Sequence, residues 1–108
     1  MKDIIQGIML HEKKEPAILY VQNVLEELQG LVQGNIEVAR LGDGILAIVN
    51  EEGRLIGMKP NPVFQRYVGP VYLIGEDGED FDDFPEEHLE TFLEYCKEAY
   101  WRRKRSEQ

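Results

Sequence analysis

Polar side chains suited to ligand binding gather in the middle of the chain, around a turn signal and a pair of prolines. They offer amide, carboxylate, guanidinium, ammonium and phenol groups, a mixture that suits recognition of a small polar ligand such as a nucleotide. Turn formation explains the two asparagines equally well, because asparagine side chains often hydrogen-bond to nearby backbone groups. The candidate ligand-binding residues are Asn50, Glu51, Arg54, Lys59, Asn61, Arg66 and Tyr67.

A second candidate surface is acidic. Residues Glu76–Glu98 hold eleven carboxylates and one lysine, whereas the rest of the chain is close to neutral. A field of this sign repels phosphate backbones, so we expect a protein with a basic patch as the partner and no direct binding of nucleic acid. Nearby aromatic side chains would anchor that partner, although solubility alone also explains such a surface. The candidate partner-binding residues are Asp80, Asp82, Asp83, Glu87, Tyr100 and Trp101.

Known catalytic and metal-binding patterns do not fit the sequence. The acidic run Glu76–Asp83 differs from a calcium-binding EF-hand loop, because Phe81 and Phe84 fall where oxygen ligands are required. A weak, irregular divalent site, and with it a metal-dependent hydrolase, is a distant alternative. The segment Ile45–Gly57 is similar to the opening of nucleotide-diphosphate hydrolases, but Pro60 and Pro62 stand where their glutamate-rich helix would follow. We therefore predict a non-enzymatic protein with no catalytic residues, no metal site and no cofactor.

Size and composition indicate one soluble domain. The chain has 108 residues and a net charge of −9. Its share of hydrophobic residues, 43%, is typical of folded globular proteins. The single cysteine, Cys96, excludes an internal disulfide and fits a reducing compartment. No apolar run approaches the roughly 20 residues that span a membrane, and Ile4–Leu10 lacks signal-peptide features. We expect a cytoplasmic protein with one domain over residues 1–108, in which the basic tail 102–108 can be disordered.

Hydrophobic periodicity predicts two strands and a helix in the first third of the chain. Ile4–Leu10 and Ala17–Val21 have the β-branched character of strands, and the first is expected at an exposed edge that could pair two protomers. An amphipathic helix follows. Asn23 is its predicted N-cap, Glu26 the capping-box partner and Gly34 the left-handed residue at its end.

The remaining chain predicts further strands and a last helix. The strands are expected at Ile36–Leu41, Ile45–Val49, Leu55–Met58 and Val71–Ile74, the third completing a meander and the fourth being the last strand of the chain. The continuous apolar run of Ile45–Val49 favours a central position, and Gly53 is expected to supply a left-handed turn residue. The final helix begins near Pro85. This order predicts an α+β fold, a mostly antiparallel sheet of four to five strands with two helices packed on it.

Several of these features together resemble a known family. A helix ending at Gly34 precedes Ile36-Glu37-Val38, the turn Asn50-Glu51-Glu52-Gly53-Arg54-Leu55 and the pair Pro60-Asn61. This order is similar to that of domain of unknown function 3846, a family of short phage and mobile-element proteins. The likeness extends through the Gly69–Gly75 strand into the last helix. The resemblance implies a bacteriophage, prophage or plasmid setting in a bacterial host, and it implies no catalytic residues.

Two binding functions follow from these surfaces. The first hypothesis is an accessory protein of a phage or mobile element that binds and inhibits a host protein, such as a defence protein, through its acidic surface. The alternative is a small-ligand binder that sequesters a nucleotide-type signal molecule. Oligomerisation is compatible with both.

Overall fold

A computed structural model describes residues 2–107 and confirms the α+β fold. Six strands form one antiparallel sheet, which exceeds the expected four to five, and two α-helices pack on it. The strands are β1 (Ile4–Leu10), β2 (Ala17–Gln22), β3 (Ile36–Gly42), β4 (Ile45–Asn50), β5 (Val71–Asp77) and β6 (Asp80–Asp82). The helices are α1 (Leu25–Val32) and α2 (Leu89–Ser106), and a 3-10 turn at Glu86–His88 leads into α2.

The strand order is β2-β1-β5-β4-β3, with β6 paired to the C-terminal half of β5. The expectation that Ile4–Leu10 lies at an exposed edge is wrong, because β5, although distant in the sequence, pairs with the free side of β1. The expectation that Val71–Ile74 is the last strand is also wrong. This segment belongs to the central strand β5, and the acidic run continues it through a turn at Gly78 into β6 as a hairpin.

The sheet is covered on both faces, so the domain has three layers. Because side chains alternate along a strand, β5 contributes to both cores. Tyr72 and Ile74 pack on the α1 side, whereas Val71 and Leu73 pack on the α2 side. The α1-side core also includes Ile5, Val21, Leu28, Val32 and Ile48. The α2-side core also includes Ile8, Leu10, Ala47, Val49, Phe84, Leu89 and Cys96. The central position predicted for Ile45–Val49 is confirmed, since β4 lies between β3 and β5.

The strand predicted at Leu55–Met58 does not form. These residues lie in a turn that leaves Leu55 83% and Ile56 62% exposed. Both sides of β4 are already paired, so a third meander strand has no place in the sheet. Gly57, with φ of 81°, is the left-handed residue here, rather than Gly53. A Cβ on Gly53 would lie 2.6 Å from Cγ2 of Val68, so this position requires glycine for close packing.

The ends of α1 differ from the prediction. Val24 is the N-cap, and no side chain caps this end of the helix. The predicted N-cap, Asn23, lies one residue earlier, and its side-chain amide donates to the backbone carbonyl of Lys2 at 3.0 Å. At the other end Gln33, with φ of 65°, takes the left-handed conformation that was assigned to Gly34. Gly34 is needed for space instead, since a Cβ there would lie 2.7 Å from Nδ2 of Asn50.

Helix α2 covers the second face of the sheet and continues through the basic residues near its end. Leu89, Cys96 and Tyr100 are its buried positions, and Arg102–Arg105 are helical. Among residues 2–107 no helix combines the length and apolar character that a membrane crossing requires.

Candidate functional site

A cavity of about 270 Å³ lies between the turn that follows β4 and the segment 66–68. We call it the turn cavity. Five of the seven predicted ligand-binding residues line it, which are Asn50, Glu51, Arg54, Arg66 and Tyr67. Glu37, Val49, Glu52, Gly53, Leu55 and Val68 complete the lining. The fold therefore joins residues that are up to 31 positions apart, from Glu37 of β3 to Val68 in the segment before β5.

Asn50 holds the turn of this cavity in place. Its side chain is buried, and Nδ2 donates to the backbone carbonyl of Val32 at the end of α1, at 2.9 Å. Its Oδ1 accepts from the backbone N–H of Glu52 at 2.7 Å, and the backbone N–H of Glu51 donates to the carbonyl of Asn35 at 2.8 Å. These bonds tie the turn to the α1–β3 connection. Asn50 therefore positions Glu51 and Glu52 and has little remaining capacity for a ligand.

Two arginines and a tyrosine form the cationic wall of the cavity. Nη2 of Arg54 donates to the backbone carbonyl of Arg66, which links the turn to the opposite segment. The Arg66 guanidinium lies 5.3 Å from the centre of the Tyr67 ring, within the range of a cation–π contact. Arg54 and Arg66 are exposed, so both present N–H donors to solvent at the cavity. Guanidinium groups of this kind bind phosphate and carboxylate well.

Three carboxylates, those of Glu37, Glu51 and Glu52, line the same cavity. Glu37 lies opposite Val49 in the β3–β4 pairing, which brings it beside the turn. Sequence reasoning missed Glu37 and Glu52 as site residues. The alternation of β3 and its hairpin with β4 would have placed Glu37 next to the turn if the register had been worked out. A cavity with two cations and three anions can bind a ligand that carries both a phosphate and hydrogen-bond donors.

Two predicted ligand-binding residues lie outside the turn cavity. Asn61 is fully buried, and its Nδ2 donates to the carbonyls of Leu10 at 3.0 Å and Gly69 at 2.9 Å. Its Oδ1 accepts from the N–H groups of Val63 at 2.9 Å and Phe64 at 3.2 Å. Asn61 thus clamps the loop before β5 onto the end of β1. Lys59 is exposed and lines a different cavity near the end of α2, together with Lys13, Arg103 and Lys104.

The acidic residues proposed for partner binding divide into two groups. Asp80 and Asp82 belong to β6 at the sheet's acidic end. Asp83 has a structural role, because it accepts from the backbone N–H of Gln6 at 2.8 Å and pairs with Nζ of Lys2 at 2.8 Å. Burial raises the pKa of Asp83, but the hydrogen bonds from Lys2 and Gln6 outweigh it and leave this pKa below its ordinary value.

The aromatic residues expected beside the acidic surface lie elsewhere. Tyr100 is buried, and Trp101 is half exposed with its indole N–H donating to the carboxylate of Glu15 at 2.8 Å. Glu87 precedes α2, so the helical rise places Trp101 about 20 Å from it along the axis. The structure therefore does not bring Glu87 and these aromatic residues together.

The described part of the chain has no cluster of metal-ligating side chains, and its one cysteine is poorly suited to act as a nucleophile. No group of three His, Cys, Asp or Glu residues within residues 2–107 is placed to hold a metal ion. The Cys96 thiol is buried, and burial raises its pKa to about 12, which makes it a poor nucleophile.

The fold and the turn cavity define a small three-layer α+β protein with a mixed-charge surface cavity. A comparison with family models matches residues 5–97 to the family described as Domain of unknown function (DUF3846). The chain belongs to this family, which confirms the resemblance seen in its turn and strand pattern. Neither a curated protein nor a solved structure matches the chain.

Proposed function

We propose that this chain is a binding protein, not an enzyme, and that it sequesters a small nucleotide-type ligand in the turn cavity. The observation that carries the proposal is the convergence of Arg54, Arg66 and Tyr67 with Glu37 and Glu51 on one cavity. Neither the arginines nor the carboxylates alone would select a nucleotide. Together they offer hydrogen-bond donors for the phosphate of a nucleotide and hydrogen-bond acceptors for its base. A simple anion or a simple cation would use only one of the two sets.

The contacts would divide between the two parts of the ligand. Guanidinium donors of Arg54 and Arg66 suit the phosphate, because they can form paired, charge-assisted hydrogen bonds. The carboxylates of Glu37, Glu51 and Glu52 accept hydrogen bonds only, so they suit a base that presents N–H groups. Guanine fits best, since its ring N–H and its amino group can donate side by side to one carboxylate. The Tyr67 ring offers a stacking surface where Arg66 now lies.

Calorimetric titration with guanosine monophosphate tests the proposal. The informative variant is Arg66→Gln, because the backbone carbonyl that Arg54 contacts is retained. Removal of one charge-assisted hydrogen bond costs about 1.5–3 kcal/mol, so the affinity should fall about 10- to 100-fold. Arg105→Gln, a change at an exposed position of α2 outside the turn cavity, is the matched control and should bind like the wild type.

Absence of binding by any common mononucleotide to the wild type would refute the proposal. It would also fail if Arg66→Gln and Arg105→Gln showed the same fall in affinity, because the effect would then come from net charge rather than from the cavity. Thermal unfolding of each variant separates a weakened ligand site from a destabilised fold.

The hairpin of β5 and β6, residues Glu76–Asp83, is the acidic hairpin. It supports a second candidate function, the inhibition of a host protein with a basic patch. Among residues 2–107, the ion pairs of the segment Glu76–Asp83 engage only Glu76 and Asp83. Asp77, Glu79 and Asp80 are exposed at the hairpin and carry charge available to a partner. The family resemblance supports a phage or mobile-element setting in a bacterial cytoplasm, where such an accessory protein would meet its host target.

Salt dependence and neutralisation test this second function. Partner capture should weaken steeply as salt rises, because an exposed charged interface is screened. The triple change Asp77→Asn, Glu79→Gln and Asp80→Asn should abolish capture while leaving nucleotide binding intact. It avoids Asp83, whose side chain supports the backbone at Gln6. Capture that survives both salt and the triple change would contradict the acidic-surface hypothesis.

A further inference from the structure

Basic residues from three separate parts of the chain meet at the C-terminal end of α2. Lys13 from the β1–β2 connection and Lys59 from the loop before β5 line one cavity of about 390 Å³ with Arg103 and Lys104 of α2. Pro60 forms part of the same wall. This convergence is a product of the fold, because Lys59 is 46 positions after Lys13 and Arg103 is 44 positions after Lys59 in the sequence.

A second cavity, of about 400 Å³, continues the first. The two share Pro62 and Arg103, and the second adds Arg102 and the ring of Tyr95, which is 58% exposed. We call the continuous surface the helix-end groove. It contains five basic side chains, those of Lys13, Lys59, Arg102, Arg103 and Lys104.

The groove is positive despite the overall charge of −9. Its carboxylates are those of Glu12 and Glu107, and Glu107 pairs with Arg103 and Lys104 at 3.6 Å each. Among residues 2–107, Lys13 and Lys59 form no ion pair. The acidic hairpin and the 3-10 turn lie towards the opposite end of α2, whose 18 residues span about 27 Å. A polyanion would therefore meet attraction at one end of the protein and repulsion at the other.

We propose that the helix-end groove binds single-stranded nucleic acid. A positive groove that follows the phosphate backbone, with an exposed aromatic ring on which a base can stack, is the arrangement that single-strand binding uses. Tyr95 supplies the ring and lines one cavity of the groove with Arg102, Lys59 lines the other, and Arg103 lines both. This revises the expectation of no direct nucleic-acid contact. That expectation rested on the field of the acidic surface, and only the fold shows that Lys13 and Lys59 join the basic residues at the end of α2.

Fluorescence anisotropy with a labelled oligothymidylate tests the proposal at a series of salt concentrations. The wild type should bind at low salt, and the logarithm of its affinity should fall linearly with the logarithm of the salt concentration. The double variant Lys59→Gln and Arg103→Gln should bind at least tenfold more weakly, with a salt slope smaller by about 1.4, because each of the two cations neutralises one phosphate of the single strand. Lys97→Gln, a change on the same helix outside both cavities, is the matched control and should bind like the wild type.

A separate variant tests base stacking. Tyr95→Leu keeps an apolar side chain but removes the ring, and it should weaken oligothymidylate binding about fivefold or more without changing the salt slope. Heparin, a polyanion without bases, should bind wild type and Tyr95→Leu equally.

Three results would overturn the proposal. One is no anisotropy change for the wild type at low salt. Another is an equal fall in affinity for Lys97→Gln and the double variant, which would indicate a general charge effect. The third is self-association in sedimentation experiments that blocks oligothymidylate, because the groove would then hold the acidic hairpin of a second copy. Circular dichroism confirms that each variant is folded before its affinity is compared.

Discussion

Replacement of Asn61 by alanine should destabilise the protein strongly, although sequence reasoning assigns this residue to a ligand site. Its side chain makes four hydrogen bonds of 2.9–3.2 Å, to Leu10, Gly69, Val63 and Phe64, and it is fully buried. A hydrogen bond within a folded protein contributes about 1 kcal/mol net, and a buried partner left unsatisfied costs more. The free energy of unfolding should therefore fall by about 3–4 kcal/mol. Domains of this kind are stable by about 5–15 kcal/mol, so the decrease is a large fraction of the total.

Urea unfolding followed by far-ultraviolet circular dichroism measures this change directly. Asn35→Ala is the matched control, because the exposed Asn35 side chain accepts one hydrogen bond, from Gln29, and its removal should cost less than about 0.5 kcal/mol. Asn61→Asp should be at least as damaging as Asn61→Ala, since a carboxylate would face the carbonyl oxygens of Leu10 and Gly69 in place of an amide donor. A decrease below about 1 kcal/mol in Asn61→Ala would refute the clamp role.

Three further predictions concern stability and reactivity. Gly30→Ala should raise the free energy of unfolding by about 0.5–1 kcal/mol in the same urea assay, because Gly30 is an exposed helical position where a Cβ meets no atom within 4 Å; a destabilised variant would contradict this. Cys96 should react with a thiol reagent only after unfolding, since burial raises its pKa to about 12, and fast labelling of the native protein would show that the site opens. The lowered pKa of Asp83 contributes stability above its unfolded value of about 4, and this is lost as the pH falls through the folded pKa. Asp83→Asn should therefore flatten the decline of stability in acid, and an unchanged acid profile would exclude this contribution.

Local patterns were sufficient to predict the general architecture. Apolar alternation and helical periodicity identified β1, β2, β3, β4, β5 and both helices, because each pattern reflects burial on one face of its own element. The strand predicted at Leu55–Met58 failed for a non-local reason. Its apolar run looks like a strand, but β5 occupies the side of β4 that it would need. No local signal contains that information.

In the candidate site, too, local sequence signals were predictive and contacts between distant segments were not. The cluster around Asn50, Arg54 and Arg66 was predictable because the turn and its flanking segments lie close in the sequence. Glu37 was missed because it reaches the cavity through strand pairing with Val49. Asn61 was placed with the ligand residues because its partners Leu10 and Gly69, one of them 51 positions away, are visible only in the folded chain.

Native mass spectrometry of the protein purified from bacterial cells tests the central proposal, a nucleotide-type ligand in the turn cavity, most directly. The wild type should carry a bound species of nucleotide mass, and Arg66→Gln, purified in parallel, should lose it while Arg105→Gln retains it. The same spectrum reports any bound polypeptide and the number of protomers. An empty wild-type protein, or a small ligand that Arg66→Gln retains in full, would contradict the proposal.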